Sequence, residues 1–258
     1  MVRGSVEGGT AGEAAHGPVM MRAVLWPTVF AALGLAVLVG LGTWQLKRLA
    51  WKGQIISLIE TRTKAEPVSL EEALARWHDD GDVEYLRVRV GGRFLHDKER
   101  HLFAVHKSHS GWFVITPLAL DDGKLVLVNR GFVPNRFKNL TTRQAGLIET
   151  PVEIIGLVRK APTHKGWFVP ANNPSSNEWY WRDLSNMAAS MVDKTEVGTL
   201  PFFVVSEASD VPGRWPVGGV TRVDLPNRHF EYALTWYGLA LGLVGVYAFF
   251  VRARLRAV

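Results

Sequence analysis

Two stretches of this chain carry no charged side chain for long enough to cross a bilayer, and nothing else in it constrains the fold as strongly. The first runs for 24 residues from Ala23 to Leu46, the second for 20 residues from Tyr232 to Val251. A helix needs about 20 apolar residues to traverse the hydrocarbon core, where its backbone groups are satisfied internally and its side chains meet lipid. A buried helix of a soluble domain seldom stays uncharged over such a length. Trp26, Trp44, Tyr232 and Trp236 lie near the ends of the runs, where amphipathic rings favour the headgroup zone. The first run exceeds the length of a signal-peptide core and is followed by no convincing A-x-A site, so it reads as an uncleaved anchor.

The expected organisation is a disordered cytoplasmic tail over 1–22, a membrane helix over 23–46, a folded domain over 47–231, a second membrane helix over 232–251 and a basic cytoplasmic tail over 252–258. Two spans put both termini on one side of the membrane. Arg252, Arg254 and Arg256, with no acid among them, argue for a cytoplasmic C-terminus. Lys47, Arg48 and Lys52 argue the other way, but long domains cross largely regardless of charge, so the domain is expected outside the cytoplasmic leaflet. Of the net charge of +6, the domain carries +3 and the C-terminal tail the other +3. The domain therefore lacks the charge concentration and the motif of a nucleic-acid binder, and the tail suits anionic lipid. The absence of cysteine removes thiol catalysis, zinc–thiolate sites and disulfides.

Within the domain, Ser69-Leu70-Glu71-Glu72 after Pro67 forms a capping-box pattern and predicts a short helix to about Asp79. Tyr85 to Val90 alternates with period two, as a half-exposed strand must. Trp112–Leu120 and Lys124–Val133 flank Asp121-Asp122-Gly123 and predict a hairpin. Further strands are expected at Val152–Arg159, Glu178–Arg182 and Phe202–Glu207, with a helix at Leu184–Val192. The predicted fold class is a membrane protein in which two transmembrane α-helices flank a β-rich extramembrane domain of α+β type, an antiparallel sheet or small barrel without a parallel βαβ pattern.

The chain has no G-x-S-x-G, Walker A, H-E-x-x-H or G-x-G-x-x-G motif. His96, His101, His106 and His109 are the densest group of metal-ligand side chains, but their spacings suit no single helix or strand face, and they read as solvent-facing residues around a turn. Asp121 and Asp122, directly before Gly123, are turn residues first. Arg130, after the apolar strand Leu125–Val128, either binds an anionic group or pairs with a sheet carboxylate.

His229 is more informative, three residues before the second run. On a helix beginning there, Ala233, Trp236 and Ala240 fall within about 40° of it, while Gly238, the first glycine of a GxxxG pair with Gly242, lies about 180° away. Ala32, Ala36 and Gly40 form a matching small stripe on the first run. The expectation is that the spans pack through these small faces and that His229 looks away from the seam. An imidazole at the membrane surface is explained either as a polar helix start or as an axial ligand to haem iron.

Four segments resemble one family. Gly42-Thr43-Trp44-Gln45-Leu46-x-Arg48, with Lys52 following, is similar to the end of the first span of the surfeit locus protein 1 family. Gly111–Leu118 and Val126–Pro134 resemble its central sheet motifs, and His229–Ala240 resembles its second-span signature. The resemblance covers about Trp26 to Tyr247 in the expected order. Phe132 stands where that family often has Trp, and Arg228 where a residue such as Asn is usual.

The resemblance implies a non-enzymatic assembly factor for cytochrome c oxidase, assisting haem a insertion into the catalytic subunit. It makes His229 the natural haem a ligand, binding transiently, with Trp236, Trp44 and Arg48 as further contacts. The implied partners are the oxidase catalytic subunit, the haem a synthesis machinery and membrane lipid. The N-terminus, with Glu7 and Glu13 and few arginines, is unlike a mitochondrial transit peptide and points to a bacterial inner membrane, with the domain periplasmic. The alternative is a membrane-anchored interaction scaffold that stabilises a nascent oxidase subunit without binding haem.

Overall fold

The computed structural model describes residues 17–191, 198–220 and 226–256. Most of the expected N-terminal tail, and the end of the expected helix at Val192, lie outside the described residues. The chain divides into two compact units, Met1–Ile56 with Leu225–Val258, and Ser57–Asp224.

The first unit consists of two helices. Helix α1 (Gly17–Lys64) contains the first apolar run and continues as helix well past Leu46, and α4 (His229–Arg256) contains the second. Both are long and apolar enough to span a membrane, over Val24–Lys64 and His229–Arg256. Leu33, Val37, Leu241, Val246 and Phe249 are exposed along them, as side chains facing lipid must be.

The second unit opens with the last turns of α1, where Arg62 forks onto the Asp82 carboxylate and also donates to the Glu84 carbonyl at 2.9 Å. Next come β1 (Val68–Ser69) and α2 (Leu70–Asp79). Ser69 caps α2 as its sequence predicts, its Oγ accepting from the Glu72 N–H at 3.2 Å. The remaining elements are β2 (Arg87–Phe94), β3 (Arg100–His106), β4 (His109–Ala119), β5 (Leu125–Pro134), β6 (Val152–Lys160), α3 (Leu184–Met191) and β7 (Thr199–Ser206).

Five strands close into a barrel in the order β2–β6–β7–β5–β4, with β4 returning to β2 through Arg93–Ala119 and Phe94–Leu118. Closure depends on Gly92, where a Cβ would sit 2.4 Å from the Ala119 carbonyl oxygen. The barrel is the second of the two forms that the strand pattern allowed. Its seams are antiparallel except one, since β5 and β7 run parallel with β6 and α3 between them in sequence. Strand β3 hangs outside the ring as a hairpin partner of β4.

Side chains alternate across the strands, so each wall feeds two cores. Val126 and Val128 of β5 meet Val88, Val90, Leu118, Val158, Phe202 and Val204, closed by Ala73 and Trp77 of α2. Leu127, between them, points the other way and packs with Ile115, Phe203, Trp179 and the Met187 and Met191 side chains of α3. This two-sided burial is why β5 reads as a continuous apolar run rather than an alternating one.

Two differences from the sequence reading have local causes. Glu178–Arg182 forms only isolated bridges, at Glu178 and Trp179. The Asn172 side-chain oxygen accepts from the Tyr180 and Trp181 N–H groups at 2.8 and 3.2 Å, occupying donors a ladder would use. Strand β3, which the sequence reading passed over, is the histidine-bearing segment itself.

Candidate functional site

The helix pair is held by a short ladder of polar contacts in antiparallel register. His229 Nδ1 lies 2.7 Å from Gln45 Oε1, Thr43 Oγ1 lies 3.1 Å from the Tyr237 hydroxyl, and Thr28 Oγ1 lies 2.6 Å from the Tyr247 hydroxyl. Gly42 makes room for the Tyr237 ring, where a Cβ would approach to 2.9 Å. Ala233 and Ala240 are buried on the same face of α4. At the start of α4, Asn227 Nδ2 donates to the Leu49 carbonyl at 3.3 Å and Lys52 Nζ to the Pro226 carbonyl at 2.5 Å.

The seam therefore runs on the face of His229, not opposite it. Gly238, Gly242 and Gly40 have no neighbouring atom where a side chain would begin, and Ala32 and Ala36 are exposed. The expectation from the GxxxG pattern is corrected for a physical reason. In hydrocarbon the imidazole, amide and phenol groups lose water as an alternative partner, so they find each other and select the face.

This corrected geometry defines the imidazole. Gln45 is buried, and its oxygen accepts the Nδ1–H of His229. Nε2 then keeps its lone pair, and the half-buried ring is oriented by a neutral partner, as the outer hydrogen bond of a metal-ligating histidine does. Among the described residues no three His, Asp or Glu side chains converge as a metal site, so ligation here would rest on one imidazole. Trp236 is half-buried on the same face of α4. Trp44 is exposed, and the Arg48 guanidinium lies over the Trp51 ring at 4.1 Å rather than against His229. Of the sequence candidates, His229 and Trp236 share a helix face, while Trp44 and Arg48 stand apart from the imidazole on α1. Gln45, missed at the sequence level, was visible as a lone amide in an apolar run.

A second polar constellation lies in the β domain. Glu99 and Arg143 are both buried and form an ion pair, and His101 Nε2 joins the same carboxylate oxygen at 2.8 Å. His101 is thus buried on β3, not solvent-facing as its neighbourhood suggested; of the four histidines only His109 is fully exposed. Arg130 pairs with no carboxylate among the described residues. It donates to the Gly146 carbonyl at 2.6 Å, contacts His96 Nδ1 at 3.2 Å and lies over the Phe94 ring at 4.7 Å. Burial first, and then repulsion from Arg143, lowers its pKa to about 10, so it stays charged at neutral pH. Burial also depresses His96 below its ordinary value, helped by the Arg130 charge, although the Ile148 carbonyl that its Nε2 meets at 2.9 Å favours the proton.

Comparison with known proteins places this arrangement. The SURF1 family model matches residues 32–241, which include most of α1, the first half of α4 and the whole barrel. The chain belongs to the SURF1 family. It is 41% identical over 219 residues to surfeit locus protein 1 of Homo sapiens, covering 78% of this chain and 69% of that protein. It is 38% identical over 216 residues to the Rattus norvegicus protein of the same name, covering 78% and 67%. A SURF1-like protein of Monosiga brevicollis is 36% identical over 226 residues, covering 83% of each chain. The SURF1 match brackets Gln45 and His229, the two residues that meet across the helix seam.

Proposed function

We propose that this SURF1 family member is a non-enzymatic assembly factor for cytochrome c oxidase and that it handles haem a as cargo through His229. The oxidase role follows from family membership. The observation that carries the haem reading is the hydrogen bond from His229 Nδ1 to Gln45, which leaves Nε2 as a free, oriented donor at the start of a membrane helix. Trp236 on the same face supplies aromatic contact for a macrocycle. Arg48, with no carboxylate partner among the described residues, supplies a cation for a propionate, with Trp44 one turn away on α1. One imidazole holds such cargo more weakly than a two-histidine site, and release to the oxidase catalytic subunit requires that. The placement that goes with this reading is a bacterial inner membrane with both termini cytoplasmic and the barrel periplasmic, in reach of the haem a synthesis machinery.

The test is a reduced pyridine-haemochrome spectrum of full-length protein purified in detergent after co-expression with haem a synthesis. The wild type is expected to carry haem a and His229→Ala to lose it, while Gln45→Leu weakens retention by about tenfold or more through loss of ring orientation. Equal haem in wild type and His229→Ala removes His229 as the ligand. Haem in neither favours a scaffold that holds a nascent oxidase subunit through the exposed faces of its helices.

A further inference from the structure

The segment between β6 and the Asn172 turn ends in two aromatic side chains that touch almost nothing. Trp167 is 95% exposed and Phe168 is 101% exposed, the most exposed large apolar side chains described. They are the two central residues of a turn closed by the Val169 N–H donating to the Gly166 carbonyl at 3.1 Å. Lys165 Nζ ties the same turn from below, donating to the Val169 carbonyl at 2.6 Å and reaching the Gly166 carbonyl at 3.4 Å. Pro162 and Pro170 bracket the loop.

We propose that this turn enters the interfacial zone of an anionic bilayer, giving the protein a third membrane contact besides its two helices. Three independent features support a lipid surface as the occupant. Adjacent Trp and Phe rings suit the headgroup boundary, where an apolar body is buried and the indole N–H stays hydrated. The turn closes on its own backbone groups, and a loop must do so to leave water without a large desolvation cost. From Lys160 to Asn177 the chain has three basic or titratable-basic residues, Lys160, His164 and Lys165, and no acid, which matches anionic headgroups. The domain is continuous in sequence with a membrane helix at each end, which tethers it at a bilayer and keeps lipid at high local concentration.

Because the chain has no cysteine, one introduced thiol reports one position. Full-length protein is placed in nanodiscs of phosphatidylcholine and phosphatidylglycerol, with a nitroxide at Phe168→Cys or, for reference, at Asp122→Cys in another exposed turn. The expected result is that the label at 168 collides more with oxygen than with a water-soluble nickel chelate, while the label at 122 shows the reverse. In a second series the label sits at Thr163→Cys with both rings intact, and replacing Trp167 and Phe168 by Ser shifts it toward the nickel-accessible signal. Neither ring packs against the fold, so this double variant keeps its melting temperature. A label at 168 as wet as that at 122, or a label at 163 unmoved by loss of both rings, overturns the proposal. So does shielding that appears only with other membrane proteins present, which assigns the turn to a protein partner.

Discussion

Between α1 and α4 the polar contacts are neutral and few, an imidazole on an amide and two phenols on threonine hydroxyls, set among alanine and glycine. In the barrel domain charge itself is buried, Glu99 in an ion pair with Arg143 and the Arg130 guanidinium on the Gly146 carbonyl. The difference follows from what surrounds each. Lipid offers the helix pair no hydrophobic reason to associate, so close approach and hydrogen bonds decide the face. The barrel has apolar cores to drive collapse, and a charge caught inside must then be matched or the fold loses more than it gains. The helix seam should accordingly be tolerant of single changes and the barrel network intolerant.

The strongest way to break that contrast is Arg143→Met, which strands the Glu99 carboxylate in the interior. It is expected to cost about 3–5 kcal/mol of domain stability, seen as a fall in melting temperature by circular dichroism of the full chain. The double variant with Glu99→Leu should recover much of that loss, and no recovery would mean the pair matters for packing rather than charge. Next in size is Gly92→Val, where the new side chain meets the Ala119 carbonyl at the barrel closure, at a cost of about 3 kcal/mol.

On the helix side, Tyr237→Phe removes one phenol–threonine contact while keeping the ring against Gly42. A loss of about 0.6 kcal/mol in steric-trap or denaturant unfolding in micelles is expected, and a loss as large as that of Arg143→Met would abolish the distinction. The smallest effect concerns His96. Its folded-state pKa lies below the ordinary 6.5, so the unfolded chain takes up a proton more readily. Its contribution is complete above pH 6.5 and is lost as pH falls from there through the depressed value. Melting temperature should therefore drop between pH 7.5 and 5, and His96→Gln should flatten that slope.

The parts of the fold readable in advance were those set by neighbours in sequence. The capping box at Ser69 and the Asp121-Asp122-Gly123 turn rest on contacts within a few residues, and the Asp122 carboxylate does accept from the Lys124 N–H at 3.0 Å. At the candidate site, His229 was legible as an odd polar residue at a helix start. Its direction was not, because small-residue spacing gives a helix two usable faces and the hydrogen-bond partners lie about 180 residues away in sequence. The same limit hid β3 and the burial of His101, whose carboxylate is shared with Arg143.

Two charge-free runs were enough to point to a membrane protein with a folded domain between its spans, since a buried helix of a soluble domain seldom stays uncharged at that length. Membership of the SURF1 family was likewise written in short motifs. Which helix faces meet, where the barrel closes, that one of its seams is parallel and which charges are sealed inside it were decided only by the assembled structure. Each depends on pairing between residues far apart in the chain. The energy of those pairings exists only once burial has removed water as the competing partner.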